Sequence, residues 1–327
     1  MSAWKSFRHR LEARACRLLA WAVPRLSRRR CVKLGSLLGD LAYRFDARGR
    51  AVALGNLECA FGERYTLAQR REIARASYRN FVRTMLDLFW AQRLTPDTWR
   101  EWLRPAGFDA VREQLAAEEK RGTIFLCVHQ GNWEWASLVC GWLGFGNVVV
   151  AENFKNPLLT ATFAALRQHS GQTIIAQENS LLRMLKIVKR GGATGMLLDL
   201  NLRPTQAATI VEAFSSADTP SLLMCVPLLH AVLAARAGAL LVPVFTEPQA
   251  DGTVRISAQP AIELPPDASV PEIAQRCWKI FEPFVRARPD LYLWAYKHFR
   301  YRPRATSRAY PAYSHESGAF EKLRRGV

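Results

Sequence analysis

The sequence has little that would support a covalent or metal-based framework. Its seven cysteines are an odd number and no two of them stand at C-x-x-C spacing, so neither a disulfide framework nor a zinc ribbon is predicted. The six histidines include no H-x-x-x-H pair and form no cluster with cysteine, which argues against a metal site. These absences favour a reducing, cytoplasmic setting and a protein without a cofactor.

A long hydrophobic run is also missing. Two uncharged stretches, residues 135–151 and 219–235, have 17 residues each, which is short of the roughly 20 that a transmembrane helix needs. Glycines interrupt the first stretch, and prolines and a histidine interrupt the second, so both are typical of a protein core. No small-residue cleavage site follows the N-terminal apolar residues, and no signal peptide is predicted.

The positive charge is large but confined to the two ends of the chain. Of the formal net charge of +18, residues 1–33 carry +9 and residues 286–327 carry +7, which leaves +2 for everything between them. A body of nearly balanced charge is not typical of a protein that coats DNA, and no nucleic-acid partner is predicted. The basic and aromatic residues 297–304 fit lipid headgroups or an acidic carrier protein better than nucleic acid, because the N-terminus is amphipathic.

The basic N-terminus predicts a helix that lies on a membrane surface. Six apolar residues recur at helical spacing and share one face, and Arg10, Arg14 and Arg17 flank that face. An anionic lipid surface would attract such a helix; the alternative is a basic helix docked on its own domain. The six apolar residues are Trp4, Phe7, Leu11, Ala15, Leu18 and Ala22.

From about residue 120 the sequence alternates between short β-branched runs and longer helical patterns. Strands are predicted at 123–128, 148–151, 173–175, 193–198 and 239–245, and helices at 133–142, 157–168, 180–189, 222–236 and 271–288. Residues 34–119 are predicted to be helical, with 69–90 the clearest helix. This alternation predicts an α/β fold with a central sheet flanked by helices.

Three ionisable residues directly follow predicted strands. His129 follows the strand at 123–128, Glu152 follows 148–151, and Asp199 follows 193–198. Ligands of open α/β sheets bind beyond the carboxyl ends of the strands, so the sequence predicts a site at this edge.

His129 is the predicted general base, and Glu134 its predicted orienting partner. Glu134 stands in the first turn of a predicted helix, where the helix dipole favours a carboxylate that can fold back onto one ring nitrogen of His129. No serine stands beside His129, so the simplest chemistry is attack of a deprotonated substrate hydroxyl on an activated acyl group. Arg167 or a backbone amide of the glycine turn would stabilise the oxyanion.

The same residues also allow purely structural interpretations, which stay open. In these, His129 and Glu134 make only structural hydrogen bonds in a capped loop, and Asp199 caps a helix. Arg167 would be a surface charge, a partner of Asp199 or a grip on a phosphate. Cys127 would be a nucleophile paired with His129, although a buried cysteine at a strand end is usually a small apolar residue.

Residues 129–134, His-Gln-Gly-Asn-Trp-Glu, resemble the H-x4-D/E motif and the Gly-Asn-Trp-Glu core of the bacterial lipid A biosynthesis acyltransferases, the lauroyl/myristoyl transferase family. The likeness extends over most of the chain. It includes residues 37–44, 53–57, 60–61, 76–80, 156–157, 167, 198–199, 238–239, 242–244, 288–289, 292–294 and 302–303.

The resemblance implies an O-acyltransferase of lipid A and lipopolysaccharide synthesis, with a glycerolphosphate-acyltransferase-like α/β fold and an N-terminal amphipathic helical region. The implied donor is an acyl carrier protein thioester or acyl-CoA, and the implied workplace is the cytoplasmic face of the bacterial inner membrane. Residue by residue, it implies a catalytic pair, His129 and Glu134, and three further site residues, Asn132 in the turn and Arg167 and Asp199 in the substrate pocket.

The expected organisation is a membrane anchor over residues 1–33, an acyltransferase domain over 34–305 and a flexible basic tail over 306–327. Two departures from the family pattern bear on the acceptor. Glu152-Asn153 stands where the family often has Arg-Pro, and Ser215-Ser216 follows Phe214 where a glycine is usual. A lysophospholipid or specialised-lipid acyltransferase therefore stays an alternative, and a non-catalytic membrane-associated scaffold is the alternative of another class.

Glu152 and Lys155 are also predicted to bind the substrate. If Glu152 faces the acceptor, its carboxylate repels a phosphorylated headgroup by about 1 kcal/mol or more in a partly dry site. Glu152→Arg should then improve the use of phosphorylated glucosamine acceptors relative to neutral glycolipids, as measured by rates on both acceptors. An unchanged ratio would mean that Glu152 points away from the acceptor and pairs with Lys155 or Arg167.

Overall fold

The computed structural model describes residues 3–117, 121–146, 148–151, 155–176 and 180–326. The helices are α1 Ala3–Ala22, α2 Arg28–Phe45, α3 Ala47–Phe61, α4 Leu67–Trp90, α5 Phe108–Ala117, α6 Trp133–Trp142, α7 Pro157–Gln168, α8 Ser180–Lys189, α9 Leu229–Ala237, α10 Val270–Ala287 and α11 Gly318–Arg325. The strands are β1 Leu103–Ala106, β2 Thr123–Cys127, β3 Val148–Ala151, β4 Thr173–Ala176, β5 Ala193–Leu197, β6 Ala208–Ala213, β7 Leu222–Pro227, β8 Leu240–Pro248, β9 Val254–Ala258, β10 Tyr301–Arg302 and β11 His315–Glu316.

Within these ranges, seven strands form a mixed sheet in the order β1-β9-β8-β2-β5-β3-β4. Neighbours are parallel except β8 and β9, which are antiparallel, so the central strands β8, β2, β5, β3 and β4 all run the same way. The predicted α/β architecture with helices flanking a central sheet is confirmed.

Each face of the sheet carries its own hydrophobic layer, because successive strand residues point to opposite faces. Ile124 and Leu126 of β2 belong to one layer with Trp278 and Phe281 of α10. Phe125 points the other way and packs in the second layer, which also contains Trp90 of α4 and Trp135 and Leu138 of α6. The site must therefore lie at a sheet edge, since both faces are filled.

The predicted helix at 222–236 is wrong. Residues Leu222–Pro227 form β7, which pairs antiparallel with β6, and α9 begins only at Leu229. Pro227 cannot supply a helical N–H, and the apolar run before it is equally suitable for a buried strand once β6 offers a partner. Strands β1, β6 and β9 are not predicted from the sequence, because each has only four to six residues. Strand β1 also depends on β9, which lies far along the chain.

The two predicted terminal segments make contacts with the rest of the chain. Residue 33, the expected end of the anchor, lies inside α2, and Arg28 in the first turn of that helix is buried in an ion pair with Asp87 of α4. Parts of the expected flexible tail contact the body: Phe320 is fully buried, and Arg308 donates to the carbonyl oxygen of Phe214 at 3.3 Å. These contacts count against a mobile tail.

Helices α2 and α4 approach each other closely at two glycines. A Cβ atom on Gly35 would lie 2.6 Å from Cγ of Arg83, and one on Gly39 would lie 2.5 Å from Cα of Arg79. Across the same contact Asp40 accepts from both Arg75 and Arg79. The glycine face of α2 is therefore its docking face.

No helix among the described residues combines the length and the apolar character that crossing a membrane requires.

Gly39→Ala should destabilise the protein, because the added Cβ meets backbone and forces α2 away from α4. We expect the free energy of unfolding to fall by about 1–3 kcal/mol, more than the up to about 1 kcal/mol that alanine gains from helix propensity. Unfolding by denaturant measures this change in the free energy of unfolding. Gly55→Ala in α3 is the matched control, since its Cβ would meet Pro311 at an ordinary 3.4 Å. A Gly39 variant as stable as the control would contradict the close contact.

Candidate active site

His129 and Asp199 meet at the carboxyl ends of two neighbouring strands. Strands β2 and β5 are parallel with Cys127 opposite Leu197, so residues two positions further along each chain emerge at the same sheet edge. His129 Nδ1 lies 2.7 Å from Oδ1 of Asp199, and the backbone N–H of His129 donates to Oδ2 at 2.9 Å. The structure thus brings together two of the three residues that the strand ends singled out.

Asp199 is fully buried and charged. Burial alone would raise its pKa, but attraction to His129 and the hydrogen bonds from it outweigh burial and hold the pKa of this carboxyl below its usual value. An ionised carboxylate only accepts hydrogen bonds, so Nδ1 of His129 carries a proton and donates it to Asp199. The other ring nitrogen, Nε2, is then the basic one, as a general base requires.

A second layer of polar groups supports Asp199 from behind. The Tyr292 hydroxyl lies 3.3 Å from Nδ1 of His298. Burial lowers the pKa of His298, so this imidazole is neutral and has one N–H. Its Nε2 lies 2.8 Å from the carbonyl oxygen of Leu293 and its Nδ1 lies 3.2 Å from the backbone carbonyl oxygen of Asp199. Burial, with Asp199 adding to it, raises the pKa of Tyr292, which stays protonated. These side chains fix Asp199 without competing for its charge.

The turn after His129 is held rigidly by the surrounding elements. Gly131 has φ +61°, and a Cβ there would lie 2.2 Å from the carbonyl oxygen of Thr246, so this position requires glycine on both counts. The Gly131 carbonyl accepts from Asn80 Nδ2 at 2.9 Å and from Thr84 Oγ1 at 3.0 Å, both on α4. The Thr246 hydroxyl donates to the carbonyl oxygen of Gln130 at 3.0 Å.

Asn132 begins α6, as its place in the motif implies. Its side-chain oxygen accepts from the backbone N–H of Trp135 at 3.1 Å, which is an N-cap, and its Nδ2 donates to Asp87 at 2.8 Å. Asp87 in turn accepts both guanidinium branches of Arg28, and the Arg28 guanidinium lies 4.6 Å from the Trp135 ring centroid. A residue of the expected anchor is thereby tied to the start of the site helix.

Glu134 does not orient His129, so the predicted hydrogen bond between them is wrong. Its two carboxylate oxygens accept from Nε and Nη2 of Arg167 at 2.9 and 2.6 Å, across the gap between α6 and α7. Glu134 points to α7 because Arg167 stands in the last turn of that helix, while Asp199 already holds Nδ1 of His129. Arg167 pairs with Glu134 rather than with Asp199.

The remaining candidates fall into three groups. Lys155 is exposed ahead of α7, and the structure gives it no place beside His129. Glu152 and Asn153 lie outside the described residues. Cys127 is half-buried, and burial raises the pKa of its thiol to about 12, which disfavours the thiolate that a nucleophile needs.

Sequence reasoning missed the polar groups that reach the site from distant elements. Of these groups, Asp87 has a signal in the sequence. It is the single acid within the otherwise apolar residues 86–90, which indicates a buried charge that needs a partner. Tyr292, His298 and Thr246 give no such signal, because their partners are identified only by the folded chain.

The geometry can serve as a base with an orienting carboxylate, and it adds a separate, half-buried cation, Arg167. A capped loop would not require a fully buried carboxylate on the His129 ring, so the simple structural interpretation of His129 explains less of the geometry.

The chain is similar to known bacterial acyltransferases over most of its length. Residues 7–301 match the profile of the family described as bacterial lipid A biosynthesis acyltransferase. The chain is 26% identical over 302 residues to the lipid A biosynthesis lauroyltransferase of Escherichia coli (strain K12), which covers 89% of this chain and 92% of that protein. It is 25% identical over 286 residues to the E. coli lipid A biosynthesis palmitoleoyltransferase and to a lipid A biosynthesis acyltransferase of Shigella flexneri, with 85% of this chain and 87% of each relative covered. The chain therefore belongs to the bacterial lipid A biosynthesis acyltransferase family, and it is an acyltransferase.

Proposed function

We propose that this enzyme moves a fatty acyl group from an acyl carrier protein thioester to a hydroxyl of a lipid A precursor or a related glycolipid. The observation that carries the proposal is the buried 2.7 Å hydrogen bond between His129 Nδ1 and Asp199 Oδ1, which leaves Nε2 to take a proton. His129 is the proposed catalytic base, and Asp199 replaces Glu134 as its positioning residue.

The reaction follows from that pair. The acceptor hydroxyl gives its proton to Nε2 of His129 as its oxygen attacks the thioester carbonyl carbon, and Asp199 stabilises the imidazolium that forms. The resulting tetrahedral oxyanion collapses, the carbon–sulfur bond breaks, and the imidazolium returns the proton to the departing thiolate. An ester and a free carrier thiol are the products.

Glu134 receives a different part in this scheme. Its bidentate pair with Arg167 fixes the guanidinium at the base of α6, where 20% of the Arg167 side chain is still exposed. Although burial opposes its charge, Glu134 outweighs burial and raises the pKa of Arg167, so this cation is permanent. We assign Arg167 to an anionic group of the reaction, either the oxyanion or a lipid phosphate.

The acyl donor and the acceptor lipid are proposed from the names of the similar proteins. The similar proteins are named for lauroyl and palmitoleoyl transfer in lipid A biosynthesis, which supports a fatty acyl donor and a lipid A acceptor. The alternative donor is acyl-CoA, and the alternative acceptors are a lysophospholipid or a specialised lipid. A scaffold without activity would have no use for a charged carboxylate buried against His129.

We also propose that α1 is a membrane-surface helix that places the enzyme at the cytoplasmic face of the bacterial inner membrane. Trp4, Phe7, Leu11 and Leu18 are 71, 52, 56 and 61% exposed, while a different face of α1, including Cys16, packs on the body. This argues against the alternative in which the apolar face is used for docking on the domain. The finer fold proposal is a glycerolphosphate-acyltransferase-like core behind this helix.

His129→Ala should lower the transfer rate about a hundred- to ten-thousand-fold, the range of a lost general base. The rate is measured with radiolabelled acyl carrier protein and a detergent-dispersed acceptor, and circular dichroism checks the fold. His315→Ala, at an exposed position on β11, is the matched control and should keep the parental rate. A His129 variant within about a factor of two of the parent would refute the proposed base.

Asp199→Asn should reduce kcat by up to about ten-thousand-fold, because an amide cannot accept from both the ring and the backbone N–H of His129. Glu134→Gln should hurt less than Glu134→Ala, since the glutamine oxygen still accepts from Arg167. Steady-state kinetics of the three variants separate the roles. A severe loss in Glu134→Gln together with a near-parental Asp199→Asn would restore Glu134 as the partner of His129.

A further inference from the structure

Helix α2 exposes a second apolar face. Leu37, Leu41 and Phe45 are 57, 41 and 76% exposed, and their spacing of four residues places them along one side of the helix. We call these three residues the α2 stripe. They belong to a different helix from the exposed apolar face of α1, and the proposed reaction does not use them.

The α2 stripe is not needed for folding. The opposite side of α2 docks on α4 through Gly35 and Gly39, and Leu34 and Leu38 already pack into the hydrophobic layer beneath. A surface helix of a globular protein needs one apolar face, whereas α2 has two. Contiguous exposed apolar side chains on one helix indicate a binding surface.

The charges around the stripe are positive. Arg29, Arg30, Lys33, Arg44 and Arg48 are all exposed on or next to α2. The two acids nearby are already engaged: Asp40 holds Arg75 and Arg79, and Asp46 caps α3 and accepts from the Tyr78 hydroxyl. An apolar stripe with free cationic flanks is typical of a helix that lies in the interface of an anionic bilayer.

We propose that the α2 stripe is a membrane-contact surface of this enzyme, separate from α1, and that it lies on anionic phospholipid. A second copy of the chain is the competing occupant, but two copies would bring the same cations together in a protein of net charge +18. The proposal extends the proposed lipid substrate, since both place the enzyme at a bilayer, but it concerns residues that the chemistry does not use.

Vesicle sedimentation of the full chain tests whether the α2 stripe contacts lipid. Binding to anionic phosphatidylethanolamine–phosphatidylglycerol vesicles is compared with binding to pure phosphatidylcholine vesicles. The test variant is Leu37→Gln/Leu41→Gln/Phe45→Gln. The matched control is Leu181→Gln/Leu182→Gln on α8, where the two leucines are 40 and 64% exposed. We expect the stripe variant to lose about tenfold or more in binding to anionic vesicles, since three large side chains no longer enter lipid, while the control binds like the parent.

A second measurement does not depend on the fold of the triple variant. Leu41→Cys is labelled with an environment-sensitive dye, which is selective because the native cysteines are buried apart from the half-buried Cys127. The dye should brighten on anionic vesicles and stay dim on phosphatidylcholine.

Parental vesicle binding by the stripe variant, with a dye at position 41 that stays dim, would overturn the proposal. So would a concentration-dependent dimer of the parent that the stripe variant loses in sedimentation velocity. Failure of the proposed function would show in a different experiment. That experiment is the transfer rate of His129→Ala with a detergent-dispersed acceptor, in which no bilayer is present. The α1 variant Trp4→Gln/Phe7→Gln/Leu11→Gln, measured beside the stripe variant, shows whether the two surfaces contribute separately.

Discussion

The buried pair of His129 and Asp199 is the constraint on which the rest of the site depends. A buried carboxylate is costly unless it is hydrogen-bonded, and Asp199 accepts hydrogen bonds from the ring and from the backbone N–H of His129. The pair can form only because β2 and β5 are adjacent and parallel, so their carboxyl ends lie side by side. The sheet order therefore decides the chemistry, and the side chains behind Asp199 keep the ring in one orientation.

The N-terminal helices belong to this machinery rather than standing apart from it. Helix α4 holds the glycine turn through Asn80 and Thr84, and Asp87 links the cap residue Asn132 to Arg28 on α2. Asn156, the cap of α7, donates to the carbonyl oxygen of His9 at 2.9 Å and so ties α1 to the helix that carries Arg167. A protein that uses α1 and α2 at a membrane would thus have its site fixed relative to the lipid surface.

The family motif carries two functions that are separate in space. His129 and Glu134 are five residues apart, but His129 pairs with a strand end and Glu134 with α7. Asn132, between them, is the N-cap of α6, so His129 precedes the helix and Glu134 lies in its first turn. The two side chains therefore reach different partners. In the proposed reaction the motif would join a base to an anchored cation, one to remove a proton and the other to stabilise an oxyanion.

By itself the sequence determined the local elements and the candidate residues. Helices α6, α7 and α8 and strand β3 have the predicted bounds, because caps, prolines and periodicity are written in neighbouring residues. Strand-end positions also singled out His129 and Asp199. Only the tertiary structure decided that Asp199 rather than Glu134 holds His129, that residues 222–227 form a strand against β6, and that Arg28 reaches Asp87. For His129 and Arg28 the physical reason is that packing chooses a hydrogen-bond partner far away in the chain, and local spacing carries no record of that choice. Residues 222–227 have a nearby partner, but their apolar run suits a helix or a strand, and pairing with β6 decides between the two.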